Sequence, residues 1–148
     1  MDNVKEYVVS SIVQAEPMTL GEYNKFKGWA IPENEDPNRE GYLVYQLDNS
    51  TTWTSKELFE TSAEQTDGMS FGVAIDALHL GQKVCRSGWN GKGMYLFLVK
   101  GSEWTFTNGE NDNHPLLPFI AMKTATGEVV PWLASQTDVL ARDWQFAK

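Results

Sequence analysis

This 148-residue sequence is short of cysteine, with one, and of histidine, with two, and it has no long apolar run. Cys85 alone can form neither an intramolecular disulfide nor a multi-cysteine zinc site, which fits a reducing compartment and a packing role. A Ser-His-Asp or Cys-His site needs a histidine base. His79 falls in a helical pattern and His114 in the polar segment from Asn108 to Pro115, neither beside a nucleophile motif. The carboxylates are scattered, with no His-Glu-x-x-His spacing, so no metal site is expected. Carboxylate pairs are assembled in space rather than in sequence, and they are the enzymatic option left open. No apolar stretch approaches the roughly 20 residues of a membrane helix. The start, Met1-Asp2-Asn3-Val4-Lys5-Glu6, lacks the basic and apolar regions of a secretory signal, so we expect a cytoplasmic protein.

Positive charge is scarce in one half only. Residues 1–68 hold 5 Lys/Arg against 13 Asp/Glu, whereas residues 69–148 hold 7 of each, so the net charge of −8 lies entirely in the first segment. Such a chain repels long polyanions, because nucleic-acid affinity comes largely from Lys and Arg neutralising phosphates. A duplex DNA or RNA partner is therefore not expected, although acidic mimicry of DNA by the first segment stays open. The neutral second segment still permits a small phosphate-bearing ligand.

The polar stretch Glu60–Gly68 separates two patterned segments, which we assign as a small acidic α+β module over residues 1–65 and a binding domain over 69–148. In the first, Val4 to Ala15 is β-branched and predicts a strand. Thr19 with Glu22 forms a capping box, flanked by Met18 and Tyr23 as a staple, and starts a helix near Leu20. Ile31–Glu40 predicts a solvated loop. Tyr42–Leu47 and Thr51–Trp53 predict a hairpin, and Thr54 with Glu57 a second capped helix. In the second, Ser70 caps a helix whose stripe is Phe71, Ala74, Ile75 and Leu78, ended by Gly81. Lys83–Arg86 and Met94–Val99 predict strands, Phe119–Lys123 and Glu128–Trp132 a hairpin, and Ser135 with Asp138 a short last helix ending near Arg142. The fold class is α+β, with a small, mainly antiparallel sheet and short helices.

Three ordered blocks carry a resemblance. They are Ser70-Phe71-Gly72-Val73-Ala74, then Lys83 to Met94 with its Ser87-Gly88-Trp89-Asn90-Gly91-Lys92-Gly93 loop, and then Pro118–Lys123 followed by Pro131–Asp138. On these, residues 69–145 resemble the Thoeris anti-defence type two family, small phage proteins that act as sponges for immune signalling nucleotides. The acidic first module departs from the family's shorter members. The resemblance implies a non-enzymatic protein without cofactor that binds glyco-cyclic ADP-ribose made by TIR-domain enzymes and holds it intact. Some relatives also take up cyclic dinucleotides or trinucleotides. It further implies a homo-oligomer, typically a tetramer with pockets between subunits, working in the bacterial host cytoplasm during phage infection. The competing classes are a nucleotide-cleaving enzyme and a protein-interaction inhibitor acting through the acidic module.

An adenine stacked on an aromatic side chain gains roughly 1–3 kcal/mol. Trp89, in a glycine-rich loop that lets a ligand approach the backbone, and Trp132, just before a helix cap, are the platforms expected from loop setting and resemblance together. Trp144 is expected in the core, and for Trp104 the default reading of a core-filling tryptophan also stands. Arg86 and Lys92 flank the loop and could hold a pyrophosphate beside its N–H groups, although the glycine spacing is not that of a P-loop and a plain turn fits equally. Asn90, Asp138, Ser135 and Thr137 could bond an adenine edge or ribose hydroxyls, Asp138 being also a cap residue. Phe71 fits either a pocket wall or the core stripe.

Overall fold

The computed structural model describes residues 5–101, 105–107 and 113–148, so Trp104 and most of Asn108–Pro115 lie outside the described residues. The chain divides into two compact units, Met1–Ala63 and Glu64–Lys148.

In the first unit β1 (Gln14–Pro17), β2 (Gly41–Tyr45) and β3 (Thr51–Ser55) form an antiparallel sheet in that order, with α1 (Leu20–Lys27) and α2 (Lys56–Ser62) in the connections and beyond. The Thr19–Glu22 capping box is formed: the Glu22 N–H donates to Thr19 Oγ1 at 3.3 Å and the Thr19 N–H to Glu22 Oε2 at 2.8 Å. Gly28 ends α1 at a φ of 73°, the left-handed conformation that closes a helix without steric cost. The central strand β2 buries both Leu43 and Val44, and the indole of Trp53 donates to the Met18 carbonyl at 2.9 Å.

Two expectations for this unit are corrected. Of the expected strand Val4–Ala15, only Gln14 and Ala15 are in a strand among the described residues, Val4 lying outside them. Tyr7, Val8 and Val9 are exposed, and β-branched residues favour a strand only where a neighbour and a buried face receive them. Nor does Thr54 cap α2. It pairs with Tyr42 inside β3, and Ser55 takes the N-cap position.

The second unit opens with α3 (Phe71–His79), where Ser70 Oγ accepts from the Val73 N–H at 3.4 Å, as the sequence predicts. There follow β4 (Val84–Arg86), β5 (Tyr95–Val99), a two-stranded ribbon of β6 (Thr105–Thr107) and β7 (Asn113–Pro115), β8 (Phe119–Lys123), β9 (Val129–Pro131), α4 (Gln136–Val139) and β10 (Trp144–Phe146). The α4 helix stops at Val139, short of Arg142. The main sheet is antiparallel throughout, in the order β10-β4-β5-β8-β9.

The last strand returns to the edge of this sheet beside β4, pairing Trp144 with Arg86 and Phe146 with Val84. The core is the face that α3 covers, made of Met69, Ala74, Ala77, Leu78, Val84, Leu96 and Trp144. Trp144 is fully buried, as expected for a core tryptophan. Before α3 the chain is tied to β10: the Met69 N–H donates to the Trp144 carbonyl at 2.7 Å and the Phe146 N–H to the Thr66 carbonyl at 2.9 Å. The architecture is α+β, with short helices on antiparallel sheets.

Candidate functional site

Four aromatic rings converge in the second unit. Trp144 lies 5.5 Å from Trp89, 5.6 Å from Phe71 and 6.0 Å from Trp132 between ring centroids, while Trp132 is 6.4 Å from Trp89 and 6.2 Å from Phe71. Three of the pairs are edge-to-face, the arrangement that the ring quadrupole favours. Trp144 is the buried hub, while Phe71, Trp89 and Trp132 pack on the core from its margin and remain partly exposed. Phe71 comes from the first turn of α3, Trp89 from the loop after β4, and Trp132 from the residue after β9, whose N–H donates to the Ile120 carbonyl at 3.0 Å.

A second cluster, made of charge, holds the first. Arg86, at the end of β4, spans two carboxylates: its Nε donates to Asp143 Oδ1 at 2.8 Å and its Nη1 to Asp138 Oδ1 at 2.9 Å. The same Asp138 oxygen accepts the Trp89 indole N–H at 3.3 Å. The other Asp138 oxygen accepts from Ser135 Oγ at 2.7 Å and the Ser135 N–H at 3.3 Å, while Ser135 Oγ accepts the Asp138 N–H at 3.1 Å, closing the expected capping box. Asp143 Oδ2 accepts from the Gly88 N–H at 2.9 Å and Ser87 Oγ at 3.3 Å. A Cβ at Gly88 would sit 2.9 Å from that oxygen, so a larger residue there would force the carboxylate or the turn to shift.

The network is mostly removed from water, with side-chain exposures of 20% for Arg86, 13% for Asp138 and 31% for Asp143. Burial and pairing therefore compete at each group. The Arg86 guanidinium holds the Asp143 carboxyl below the usual carboxylate range, against burial, with help from the Gly88 N–H. Burial pulls Asp138 upward, but hydrogen bonds from Ser135, Arg86 and Trp89 outweigh it and leave its carboxyl lowered. Arg86 is raised, first by Asp143 and then by Asp138. All three groups are therefore charged at neutral pH.

Of the residues expected from sequence, Phe71, Trp89 and Trp132 join the ring cluster, and Arg86, Asp138 and Ser135 join the charged network. Thr137 reaches it through Ser135, the two hydroxyl oxygens lying 2.8 Å apart. Asn90 and Lys92 lie exposed on the Trp89 loop and enter neither cluster. Asp138 is both cap and hub. Arg86 is already engaged with two carboxylates, so it acts first as a brace of the loop. Asp143 is the residue that sequence reasoning missed. Its signal was the neighbouring apolar-polar-apolar run Trp144-Gln145-Phe146, a short strand able to pair with Val84-Cys85-Arg86.

Elsewhere, a cleft of about 320 Å³ in the first unit is lined by residues that include Glu22, Glu40, Lys56 and Glu60. Their charges are already used: Glu22 caps α1, Glu40 pairs with Lys56 at 2.8 Å, and Glu60 accepts from the Tyr42 hydroxyl at 2.9 Å. Among the described residues no group of three or more His, Cys, Asp or Glu is placed to hold a metal ion, and no helix is long and apolar enough to cross a membrane.

Residues 69–147 match the family model described as the Thoeris anti-defense 2-like domain. A curated relative from Bacillus phage SP01, named Thoeris anti-defense 2, is 48% identical over 81 residues, covering 51% of this chain and 91% of the relative. Both the ring cluster and the charged network fall within the matched residues.

Proposed function

The chain belongs to the Thoeris anti-defense 2-like family, and from that premise we propose that it is a phage anti-defence protein that binds and sequesters the cyclic nucleotide signal of Thoeris immunity without cleaving it. The ligand is glyco-cyclic ADP-ribose, and the same chemistry admits cyclic dinucleotides or trinucleotides. The observation that carries this reading is the group of Phe71, Trp89 and Trp132, partly exposed around a buried Trp144, with the Trp89 indole bonded to Asp138 of the Arg86–Asp138 pair. Preorganised aromatic faces suit a ligand containing adenine, since the ordering cost is met before binding.

In this reading Trp89 and Trp132 stack on the rings of the ligand and Phe71 closes one side. Asn90, Ser135, Thr137 and Asp138 serve the ribose or the adenine edge. Lys92, on the same loop as Trp89, supplies the positive charge for the pyrophosphate, joined by the Arg86 donors that the carboxylates leave over. Nanomolar affinity requires about −12 kcal/mol, which stacking, charge-assisted contacts and burial can reach without turnover. The protein acts as a homo-oligomer, a tetramer with pockets between subunits, in the host cytoplasm. Exposed Leu133, Leu140 and Val129 offer apolar surface for a second copy to cover. No metal, cofactor or catalytic residue is invoked, and the acidic first unit serves solubility or an added contact between copies.

The test is calorimetric titration of the full chain with glyco-cyclic ADP-ribose, followed by heat denaturation and chromatography of the released ligand. Tight binding with intact return, lost in Trp89→Ala and Trp132→Ala, is expected. Return of an altered ligand would make the protein a nucleotide-cleaving enzyme instead.

A further inference from the structure

We propose that Asp143 is a positioning residue for the Trp89 platform, acting through Arg86 and the Ser87–Gly88 turn. It rests on the sequestration reading for its effect on affinity, but its structural content stands by itself.

Asp143 reaches the Trp89 loop at its start, through several bonds at once. The Asp143 main-chain carbonyl accepts the Ser87 N–H at 3.1 Å. One carboxylate oxygen accepts from Gly88 N–H and Ser87 Oγ, and the other from Arg86 Nε. Arg86 in turn presents Nη1 to Asp138, the oxygen of which orients the Trp89 indole. The two carboxylates thus grip different nitrogens of one planar guanidinium, a geometry that a flexible ammonium cannot reproduce.

The loop therefore has two anchors, the turn bonded to Asp143 and the indole bonded to Asp138, with Arg86 joining them. Removing the Asp143 charge weakens the carboxylate bonds to the turn, which keeps its main-chain bond from the Ser87 N–H, and leaves Arg86 with one carboxylate partner. The Asp138–Trp89 bond and the edge-to-face packing on Trp144 and Trp132 then hold the indole on a looser loop. The adjoining core depends on the Trp144 indole rather than on the Asp143 carboxylate, and keeps its packing.

The experiment compares Asp143→Asn and Asp143→Glu with the wild-type full chain, Trp89→Phe serving as the spectroscopic reference. Affinity for glyco-cyclic ADP-ribose is measured by calorimetry, the tryptophan near-UV circular dichroism reports the Trp89–Trp144 coupling, and thermal melts report the fold. Asp143→Asn removes charge at constant shape. Asp143→Glu keeps the charge and shifts the oxygens by one methylene, so it separates position from charge.

Both variants are expected to lose about 10-fold or more in affinity, the scale of one hydrogen bond to a charged group. Both should also lose the part of the near-UV signal that Trp89→Phe identifies, while melting cooperatively. Wild-type affinity and signal in either folded variant would overturn the assignment. So would a failure of both variants to fold, which would make Asp143 a folding residue. If the wild-type chain binds no ligand the sequestration reading fails, and the near-UV comparison then decides for or against Asp143 by itself.

Discussion

Trp144 donates its indole N–H to the main-chain carbonyl of Asp138 at 3.0 Å, so a fully buried ring of the second unit also fixes the residue that receives Arg86 and Trp89. Core and candidate site are consequently one structure. Trp144→Phe keeps an aromatic ring but loses this bond and leaves a void. It is expected to cost about 2 kcal/mol of stability, and chemical denaturation followed by far-UV circular dichroism would measure it. Trp132→Phe, at the partly exposed margin, should cost less in the same assay.

Arg86 is expected to set the acid limit of the second unit. Asp138 and Asp143 have carboxyls lowered in the folded protein. Such groups contribute stability that is fully present above their unfolded values, about pH 4, and is lost as pH falls through the lower folded values. Stability should thus be flat from about pH 7 to pH 5 and should fall below pH 4 as the network protonates. Arg86→Met leaves two carboxylates side by side without their cation. It should lower stability at pH 7 by about 2–3 kcal/mol and shrink the acid-side loss, which a urea titration series from pH 7 to pH 3 would record.

Two glycines on the same unit should respond in opposite directions to alanine. At Gly88 the added Cβ would meet Asp143 Oδ2 at 2.9 Å and Arg86 Nη2 at 3.7 Å, so the turn has to shift and the carboxylate bond lengthens. Gly88→Ala should destabilise the unit by about 1 kcal/mol and weaken ligand binding with it. Gly72 lies in α3, exposed, with nothing near the added atom. Gly72→Ala should raise stability by up to about 1 kcal/mol through helix propensity. Paired thermal melts would show the opposite signs.

What the sequence disclosed was local. Two of the three expected capping pairs, Thr19 with Glu22 and Ser135 with Asp138, formed because their bonds join residues three apart, whereas Thr54 and Glu57 have the same spacing but Thr54 is held in β3 by its pairing with Tyr42. The Ser70 cap and the stripe of α3 were legible for the same reason. What stayed hidden was set by pairing: Arg86 and Asp143 are 57 residues apart and meet only because β10 returns beside β4. Strands of three residues are too short to display an alternating pattern against their background. The expected strand over Val4–Ala15 erred in the opposite direction, since its β-branched residues have the composition of a strand but, among the described residues before Gln14, join no sheet.

The point at which the second unit begins gives the last prediction. Its family match starts at residue 69, but its bonds start earlier. Glu64 accepts from the Ser70 N–H at 2.5 Å and from Arg142 Nη1 at 3.3 Å, and the Thr66 carbonyl accepts the Phe146 N–H at 2.9 Å. These contacts hold the N-terminal end of α3 and the edge strand β10, which carries the buried Trp144. A fragment of residues 64–148 should therefore fold by itself, with cooperative melting and the full-length affinity for glyco-cyclic ADP-ribose. A fragment of residues 70–148 loses those bonds and the buried Met69 side chain, whose deletion costs about 2–5 kcal/mol. It should melt at markedly lower temperature or not fold. Equal stability of the two fragments would show that residues 64–69 are a tether rather than part of the domain, whereas weaker binding by the longer fragment than by the full chain would give the acidic unit a share in capture.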